Sequence, residues 1–281
     1  MDSRIEERCA TLKLTILYPT SPVVAGWLPV YSGTMVAMLM RAITRKKTPV
    51  AREKRTAYEM ATIIEDGIDQ MYGQDKNVFY YLTLYNEPFV QPAKPEGSTE
   101  GILAGLYKWD DGPESDGDRA TIIFSGAAQK AVREAQVELA ERFDIGAELW
   151  SATSYKRLRE DALAVDRWNR LNPVDSPRTA FVTSSLQTSR GPIVAVTDYM
   201  RSVPDQIAPY APRHFSSLGT DGYGRSDTRE ALRSFFEVDA DHIVVAVLSA
   251  LAREGTIDSR VARDAIERYN IDPNSAPPWL R

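Results

Sequence analysis

Apolar positions recur at helix or strand spacing along most of the chain, but no period is sustained over residues 1–55. Over residues 57–72 the apolar side chains follow helical spacing, and Gly73 stands where that helix should end. Residues 78–85 form a run of β-branched, aromatic and leucine side chains, long enough for a buried strand. The pattern therefore predicts an irregular first segment, then one helix and one strand within residues 56–92.

The third zone of the chain, residues 119–281, alternates strand and helix patterns. Short apolar strands are predicted at 121–124, 145–150 and 193–197, and the segments between them place apolar residues on one helical face. The apolar residues of those two helices are Ala128, Val132, Ala135, Leu139 and Phe143, then Leu158, Leu163, Val165 and Trp168. This βαβαβ order predicts an α/β fold with a mainly parallel sheet and right-handed crossovers.

The end of the chain is predicted to be helical. Asp227, with Glu230 three residues later, has the spacing of a helix-capping pair. Residues 243–251 are apolar almost all round, which predicts a deeply buried helix, and Asp258 is placed to cap a last amphipathic helix. Upstream, residues 93–118 are rich in Pro, Gly, Glu and Asp, which indicates a solvated linker with a short element inside it.

Composition narrows the class of protein. Of the 281 residues, 43% are hydrophobic and 26% charged, which is typical of a globular protein, and the net charge of −5 argues against nucleic-acid binding. The basic residues Arg41, Arg45, Lys46, Lys47, Arg52, Lys54 and Arg55 form a local cluster only. With no long apolar run, a single cysteine and an acidic N-terminus, the chain is expected to be cytoplasmic, with no membrane contact.

A glycine-rich run between a predicted strand and a helix start is the first candidate site. Gly219, Gly222 and Gly224 place backbone N–H groups where they could cradle an anion. The alternative is a tight turn that needs glycine for a positive φ angle. The spacing matches neither the dinucleotide fingerprint nor a P-loop, and Asp221 would repel an anion, so the residues alone favour the turn.

A second candidate lies at the end of the predicted strand over residues 78–85. Tyr81, Asn86 and Glu87 fall at its carboxyl end, which is where ligands bind in parallel sheets, and a carboxylate there could transfer protons. The alternative is a polar strand end that meets solvent.

The remaining reactive side chains favour structural roles. His242 falls in the first turn of a helix, and His214 lies in a Pro-rich loop expected at the surface. Asp198 is expected to cap the following helix, and nothing near Cys9 indicates a reactive thiol. Two histidines and one cysteine are too few for a His/Cys metal site, so no metal ligands are assigned.

Several segments together are more specific than any one of them. They are YEMATIIEDG (58–67), MYG (71–73), YYLT (80–83), NE (86–87), PEG (95–97), GI (101–102), SATSY (151–155), RWNRL (167–171), TDYM (197–200) and LGTDGYGRSDTR (218–229). In this order and spacing the chain resembles the decarboxylating component of the bacterial pyruvate dehydrogenase complex, homodimeric type. The resemblance covers about residues 56–281.

The resemblance implies a domain plan and an activity. Residues 119–281 would be a transketolase C-terminal-like domain, and residues 56–92 would be the end of the pyrimidine-side middle domain of a thiamine enzyme. The family depends on thiamine diphosphate and Mg²⁺ to decarboxylate pyruvate, and it transfers the acetyl unit to the lipoyl group of the dihydrolipoyl acetyltransferase component. A homodimer is implied as well.

The same resemblance places the cofactor and metal ligands upstream of residue 56. The chain by itself is therefore expected neither to bind thiamine diphosphate and Mg²⁺ tightly nor to be active, with Tyr81, Asn86 and Glu87 as the residues nearest the family's active site. Residues 1–55 lack the family's expected motifs, so a fragment, fusion or frame-shift is one hypothesis. The alternatives are a non-catalytic assembly or regulatory module of the same family and a small-anion binding domain.

Overall fold

The computed structural model describes the backbone of residues 15–16, 34–39, 48–52, 56–85 and 92–281, and side chains within 56–84 and 92–281. Within these ranges two sheets and their flanking helices account for most of the chain. No described helix has the length and apolar character needed to cross a membrane.

The first sheet has four described strands. They are β1 (Thr15–Ile16), β2 (Thr34–Leu39), β3 (Thr48–Arg52) and β4 (Val78–Tyr85), arranged in the order β1-β2-β4-β3. β4 pairs antiparallel with β2 and parallel with β3. The strand predicted over 78–85 is confirmed, whereas the expectation of an irregular first segment is wrong for these three upstream strands. β1 has only two residues and β3 contains Pro49, so neither shows a period.

Helix α1 (Ala57–Ile68) precedes β4 and continues as a π-helical turn, Asp69–Gly73. It begins with a capping box: Thr56 accepts a hydrogen bond from the Glu59 N–H, and the Glu59 carboxylate accepts one from the Thr56 N–H. Both exchanges satisfy N–H groups that have no partner within the helix. The predicted helix over 57–72 is thereby confirmed, with a change of hydrogen-bond pattern in its last turn.

The second sheet carries the α/β domain. Its strands are β5 (Leu106–Asp110), β6 (Arg119–Phe124), β7 (Gly146–Ala152), β8 (Ile193–Val196) and β9 (Phe215–Leu218), in the order β5-β7-β6-β8-β9. All neighbours are parallel except the pair β5 and β7. The predicted mainly parallel sheet is confirmed, and its three predicted strands correspond to β6, β7 and β8.

The segment over 93–118 was expected to be a solvated linker with a short element inside it, and the structure places two elements there, with buried residues. It contains helix α2 (Thr99–Ala104) and β5, and Ile102, Leu106 and Tyr107 are buried. The turn between the two elements requires Gly105, which has φ +119 and would place a Cβ 2.7 Å from the Ser154 carbonyl oxygen. Proline and acidic residues lie on both sides of this short apolar stretch, so the composition of the whole segment did not indicate a buried helix and strand.

Two helical layers cover the second sheet. One contains α3 (Gln129–Phe143), α7 (Ala240–Glu254) and α8 (Ser259–Arg268), and the other contains α4 (Tyr155–Leu171) and α5 (Phe181–Leu186). Alternate residues of each strand point to opposite layers, so Ile122 and Val194 join the first core and Ile123 and Ala195 the second. The first core also includes Ile63 of α1, which joins the two sheets through one apolar cluster.

The C-terminal helices are confirmed, with one correction. Helix α6 (Arg229–Phe235) is capped by Thr228, whose hydroxyl accepts a hydrogen bond from the Ala231 N–H, and not by Asp227. The cap therefore lies one residue later than the expected Asp227–Glu230 pair. Asp258 caps α8 as predicted, accepting from the Arg260 N–H at 2.8 Å.

Candidate functional site

A buried polar cluster joins α1 to the second sheet. Glu59 has no exposed surface, although it is a carboxylate. One of its oxygens, Oε1, accepts hydrogen bonds from the Tyr107 hydroxyl at 2.8 Å and from the Ser151 hydroxyl at 2.7 Å. The other oxygen, Oε2, accepts from the Thr56 N–H at 2.8 Å. Glu59 therefore fastens the start of α1 to both β5 and β7.

Two further aromatic side chains extend this cluster. The hydroxyls of Tyr58 and Tyr107 lie 2.7 Å apart, and the Trp109 indole N–H donates to the Tyr58 hydroxyl at 2.9 Å. Burial, followed by the charge of Glu59, raises the pKa of the Tyr107 hydroxyl far above its usual range. Burial also raises the pKa of Tyr58, despite its hydrogen bond to Tyr107. Both phenols therefore keep their protons and act as hydrogen-bond donors, which is a structural role.

The order in which strands are added to the sheet changes side between β6 and β8, so the carboxyl ends of these two strands flank a topological switch point. From β6 the chain adds β7 on one side, then returns to add β8 on the other. Ligands of parallel α/β sheets bind in the crevice outside such a switch point. Here the buried hydroxyls of Ser125 and Thr197, which follow the two strands, lie 2.7 Å apart, and Thr197 also accepts from the Tyr199 N–H.

The sequence analysis did not identify this pair, because locating it requires the order of the strands in the sheet. The two hydroxyls follow strands whose adjacency becomes visible only once the order β7-β6-β8 is known. Ser125 and Thr197 are neutral groups that can position a ligand by hydrogen bonding.

The end of β4 lies against this same edge. The Thr83 hydroxyl is 2.9 Å from the Tyr199 hydroxyl, which belongs to the segment after β8. Tyr81 lies two residues earlier on β4 and is 37% exposed. Asn86 and Glu87 lie outside the described residues, so Tyr81 is the one member of that predicted group whose position the structure describes. A role for the three residues in chemistry stays a prediction.

The glycine turn is held by contacts within the chain. A Cβ on Gly219 would lie 2.6 Å from the Tyr199 carbonyl oxygen, and Gly222 has φ +110 with the backbone of Trp279 only 3.0 Å from its Cβ position. Gly224 lies further along in an exposed stretch without regular structure. The requirement for glycine at 219 and 222 follows from these contacts without a ligand.

Asp221 gives the turn a negative charge beside its N–H groups. Its carboxylate accepts a hydrogen bond from the Arg201 N–H at 3.2 Å, and the Thr220 N–H donates to the Tyr199 carbonyl at 2.9 Å. These bonds tie the turn to the segment after β8. They favour the reading as a tight turn over the anion cradle, which stays a hypothesis.

Three predicted structural residues have defined places. His214 is exposed, and its carbonyl accepts from the Ile193 N–H at 2.8 Å. His242 lies in the first turn of α7, with its Nδ1 2.6 Å from Asp239 Oδ1. The expectation that Asp198 caps a helix is wrong, because the next helical segment is a 3₁₀ turn that begins at Pro204.

The Asp239 cap leads to a pH prediction. Burial raises the pKa of the Asp239 carboxyl, but hydrogen bonds from the His242 ring and N–H outweigh it, so the net pKa is lowered. A carboxyl with a lowered folded pKa stabilises the fold above its unfolded pKa of about 3.9, and that contribution is lost as the pH falls through the folded pKa. We expect Asp239→Asn to cost about 1 kcal/mol in the free energy of unfolding at neutral pH and less near pH 3.

Urea unfolding of the wild type and Asp239→Asn at a series of pH values measures this difference. Asp241, in the same first turn, is the control, because burial and the nearby Asp239 raise its pKa. Asp241→Asn should therefore show the opposite sign of pH dependence. A cost of Asp239→Asn that grows as the pH falls would contradict the prediction.

A cofactor with a metal ion would need several ligands close together. Among residues 56–84 and 92–281, no three Asp, Glu, His or Cys side chains are grouped closely enough to hold a metal ion. Cys9 lies outside the described residues, and the expectation of no tight cofactor binding stays a prediction.

Two family models match different parts of the chain. The pyruvate dehydrogenase E1 component middle domain matches residues 42–92, and the transketolase-like TK C-terminal domain matches residues 105–239. The first match begins upstream of residue 56, where the resemblance was expected to start. The second begins at Gly105, which agrees with the structure in assigning β5 to the C-terminal domain and not to a linker.

Curated relatives are similar over most of the chain. The pyruvate dehydrogenase E1 component of Mycolicibacterium smegmatis is 47% identical over 222 residues, which is 78% of this chain and 24% of that protein. The component of Escherichia coli K12 is 43% identical over 226 residues, covering 80% of this chain and 25% of that protein. This chain thus spans about a quarter of the length of the relatives that it matches.

Solved structures are more distant. A transketolase from Pichia stipitis is 14% identical, with a TM-score of 0.46 over 74% of this chain and 26% of that chain, which is too weak to add to the family matches. The two domain models occur here in one chain and in order, with relatives at 41–47% identity. The chain therefore belongs to the pyruvate dehydrogenase E1 component family, as a piece that corresponds to part of the middle domain and the C-terminal domain.

Proposed function

We propose that this chain is the C-terminal portion of a thiamine diphosphate-dependent pyruvate dehydrogenase. In the complete enzyme, pyruvate is decarboxylated and the acetyl unit passes to the lipoyl group of the dihydrolipoyl acetyltransferase component. The observation that carries the proposal is the sustained similarity to relatives named pyruvate dehydrogenase E1 component, at 47% identity over 222 residues. We also propose that the enzyme is a cytoplasmic homodimer.

The role of this portion is to hold the end of the middle domain in place. The Glu59 cluster and the shared apolar core fix α1 and β4 against the second sheet. The bond between Thr83 and Tyr199 then sets where β4 ends. Asn86 and Glu87 follow directly along the chain, so a rigid β4 would position them at the family's active site.

A chimaera tests this function. The region of the Mycolicibacterium smegmatis relative that matches this chain is replaced by residues 56–281, and carbon dioxide release from pyruvate is measured with Mg²⁺ and thiamine diphosphate. We expect activity, and we expect Glu87→Gln in the chimaera to lower kcat by about a hundredfold, as loss of a proton-transferring group does. A folded, dimeric chimaera without activity would overturn the proposal.

The isolated chain, in contrast, should be inactive. It should show no tight binding of thiamine diphosphate with Mg²⁺ by calorimetry and no release of carbon dioxide from pyruvate, because the family resemblance places the cofactor ligands and the oxygen ligands that Mg²⁺ needs upstream of residue 56. Glu87→Gln should change nothing measurable in this chain. Micromolar binding, or turnover above a cofactor-only blank, would contradict this prediction.

An exposed apolar patch on the middle-domain portion leads to a prediction about association. Ile64 and Ile68 lie four residues apart on α1 and are 39% and 41% exposed. Such patches drive association, so light scattering should show self-association of the purified chain at micromolar concentration.

Charged substitutions distinguish association through this patch from non-specific association. The double variant Ile64→Glu with Ile68→Glu should shift the chain toward monomer. Leu171→Glu is the control, because Leu171 is exposed at the end of α4 and lies outside the patch. A wild-type chain that is monomeric at micromolar concentration would contradict the prediction.

A further inference from the structure

A cleft of about 320 Å³ opens at the amino ends of the parallel strands of the second sheet. It lies at the opposite edge from the glycine turn, beside the starts of β6 and β7. Six charged side chains line it. The charged residues are Lys108, Arg119, Arg190, Asp111, Glu114 and Glu148. We refer to this site as the arginine cleft.

Some charged groups of the cleft have partners of opposite charge and others do not. Lys108 is 2.9 Å from Glu148 and 3.0 Å from Asp111, so its single positive charge is shared by two carboxylates. Glu148 also accepts hydrogen bonds from the Thr121 hydroxyl and the Trp150 indole N–H. Within the part of the chain that the structure describes, the Arg119 and Arg190 guanidinium groups make no ion pair or hydrogen bond.

The backbone that carries the two arginines is firmly placed. The Arg190 carbonyl accepts a hydrogen bond from the Thr121 hydroxyl at 3.1 Å, and the buried Ser189 hydroxyl donates to the Leu186 carbonyl at 2.7 Å. Next to it, Gly191 packs so closely on Arg119 that a Cβ would lie 1.7 Å from the Arg119 carbonyl oxygen. The segments that bear both guanidinium groups are thus held side by side.

We propose that the arginine cleft binds a small phosphate monoester through Arg119 and Arg190. A guanidinium presents a planar fork of donors that matches phosphate oxygens, and a phosphate monoester carries a charge of about −1.5 to −2 at pH 7, which attracts the two arginines that have no acidic partner among the described residues. Glu114 is exposed and lines the cleft, and in the proposed complex its carboxylate would accept a hydrogen bond from a hydroxyl group of the ligand. The volume suits a small metabolite. This proposal does not depend on the activity proposed above.

Isothermal titration calorimetry on the whole chain tests the site, with glycerol 3-phosphate, inorganic phosphate, glycerol and acetate as probes. We expect saturable binding of glycerol 3-phosphate, weaker binding of inorganic phosphate, and none of glycerol or acetate. Arg190→Gln should weaken glycerol 3-phosphate binding about tenfold, the loss expected for one charge-assisted pair. Arg119→Gln should do the same.

Arg253→Gln is the matched control, because Arg253 is an exposed arginine in the last turn of α7 and the change in net charge is identical. It should bind like the wild type. Arg190 lies on an exposed loop, so its variant is expected to fold even where Arg119→Gln does not. Absence of saturable binding at millimolar concentration, or equal weakening by Arg190→Gln and Arg253→Gln, would overturn the proposal.

Discussion

Glu59→Ala is expected to lower the free energy of unfolding by about 4 kcal/mol, a large effect for one residue. The substitution removes the acceptor of the Tyr107 and Ser151 hydroxyls and of the Thr56 N–H, all of them in buried positions. A buried donor left without a partner costs about 1–3 kcal/mol. The lost capping box adds to this cost. Urea unfolding followed by circular dichroism measures the change.

Glu65→Ala is the matched control for this prediction. Glu65 lies on the same helix, but its side chain is exposed, so the substitution should change the free energy of unfolding by about 0.5 kcal/mol or less. Tyr107→Phe provides a second check, because it removes one donor while Glu59 keeps the bonds from Ser151 and Thr56. It should cost clearly less than Glu59→Ala. Equal stabilities of Glu59→Ala and Glu65→Ala would show that the cluster does not stabilise the fold.

The Glu59 cluster also shows what sequence patterns do not reveal. The start of α1 is a capping box, and its Thr56–Glu59 spacing is local and readable. The partners that bury the carboxylate lie 48 and 92 residues further along the chain. No periodicity links positions so far apart, because their contact depends on how α1 docks on β5 and β7. A buried charge is paired through tertiary structure, which a single sequence does not show.

Strands were predictable where their apolar runs were continuous and bounded by turns. β4, β6, β7 and β8 meet this condition, since each is buried on both faces or long enough to stand out. β5 does not, because Lys108 and Asp110 interrupt its buried positions and the segment around it is rich in proline and glycine. Its place at the sheet edge, antiparallel to β7, explains why a strand with polar alternation is tolerated there.

The candidate site was predictable only in part. The strand β4 and its end were located from the apolar run, and Tyr81 followed from that. The hydroxyl pair of Ser125 and Thr197 depends on the adjacency of β6 and β8, which requires the sheet order. The glycine turn was located from its motif. The contacts that require glycine at 219 and 222 could not be predicted, because they involve residues far along the chain.

Gly191→Ala is expected to lower the free energy of unfolding by about 4 kcal/mol. The backbone at Gly191 has a conformation that disfavours any side chain, and the position that a Cβ would take is already occupied. Gly191 has φ +65, and its Cβ would lie 1.7 Å from the Arg119 carbonyl oxygen and 2.7 Å from the Arg119 carbonyl carbon. Both atoms belong to the backbone of β6, which pairs with β7 and β8 and cannot shift cheaply.

Gly97→Ala separates the cost of the left-handed backbone conformation from the cost of the steric collision. Gly97 has φ +69, nearly the same as Gly191, but nothing lies within 4 Å of its Cβ position. The left-handed conformation alone costs an alanine about 1 kcal/mol, so Gly97→Ala should lose only about that much. The remaining difference of about 3 kcal/mol between the two variants then measures the collision with β6. Urea unfolding of both variants measures this difference, and equal losses would mean that the segment before β8 can move away from Arg119 at little cost.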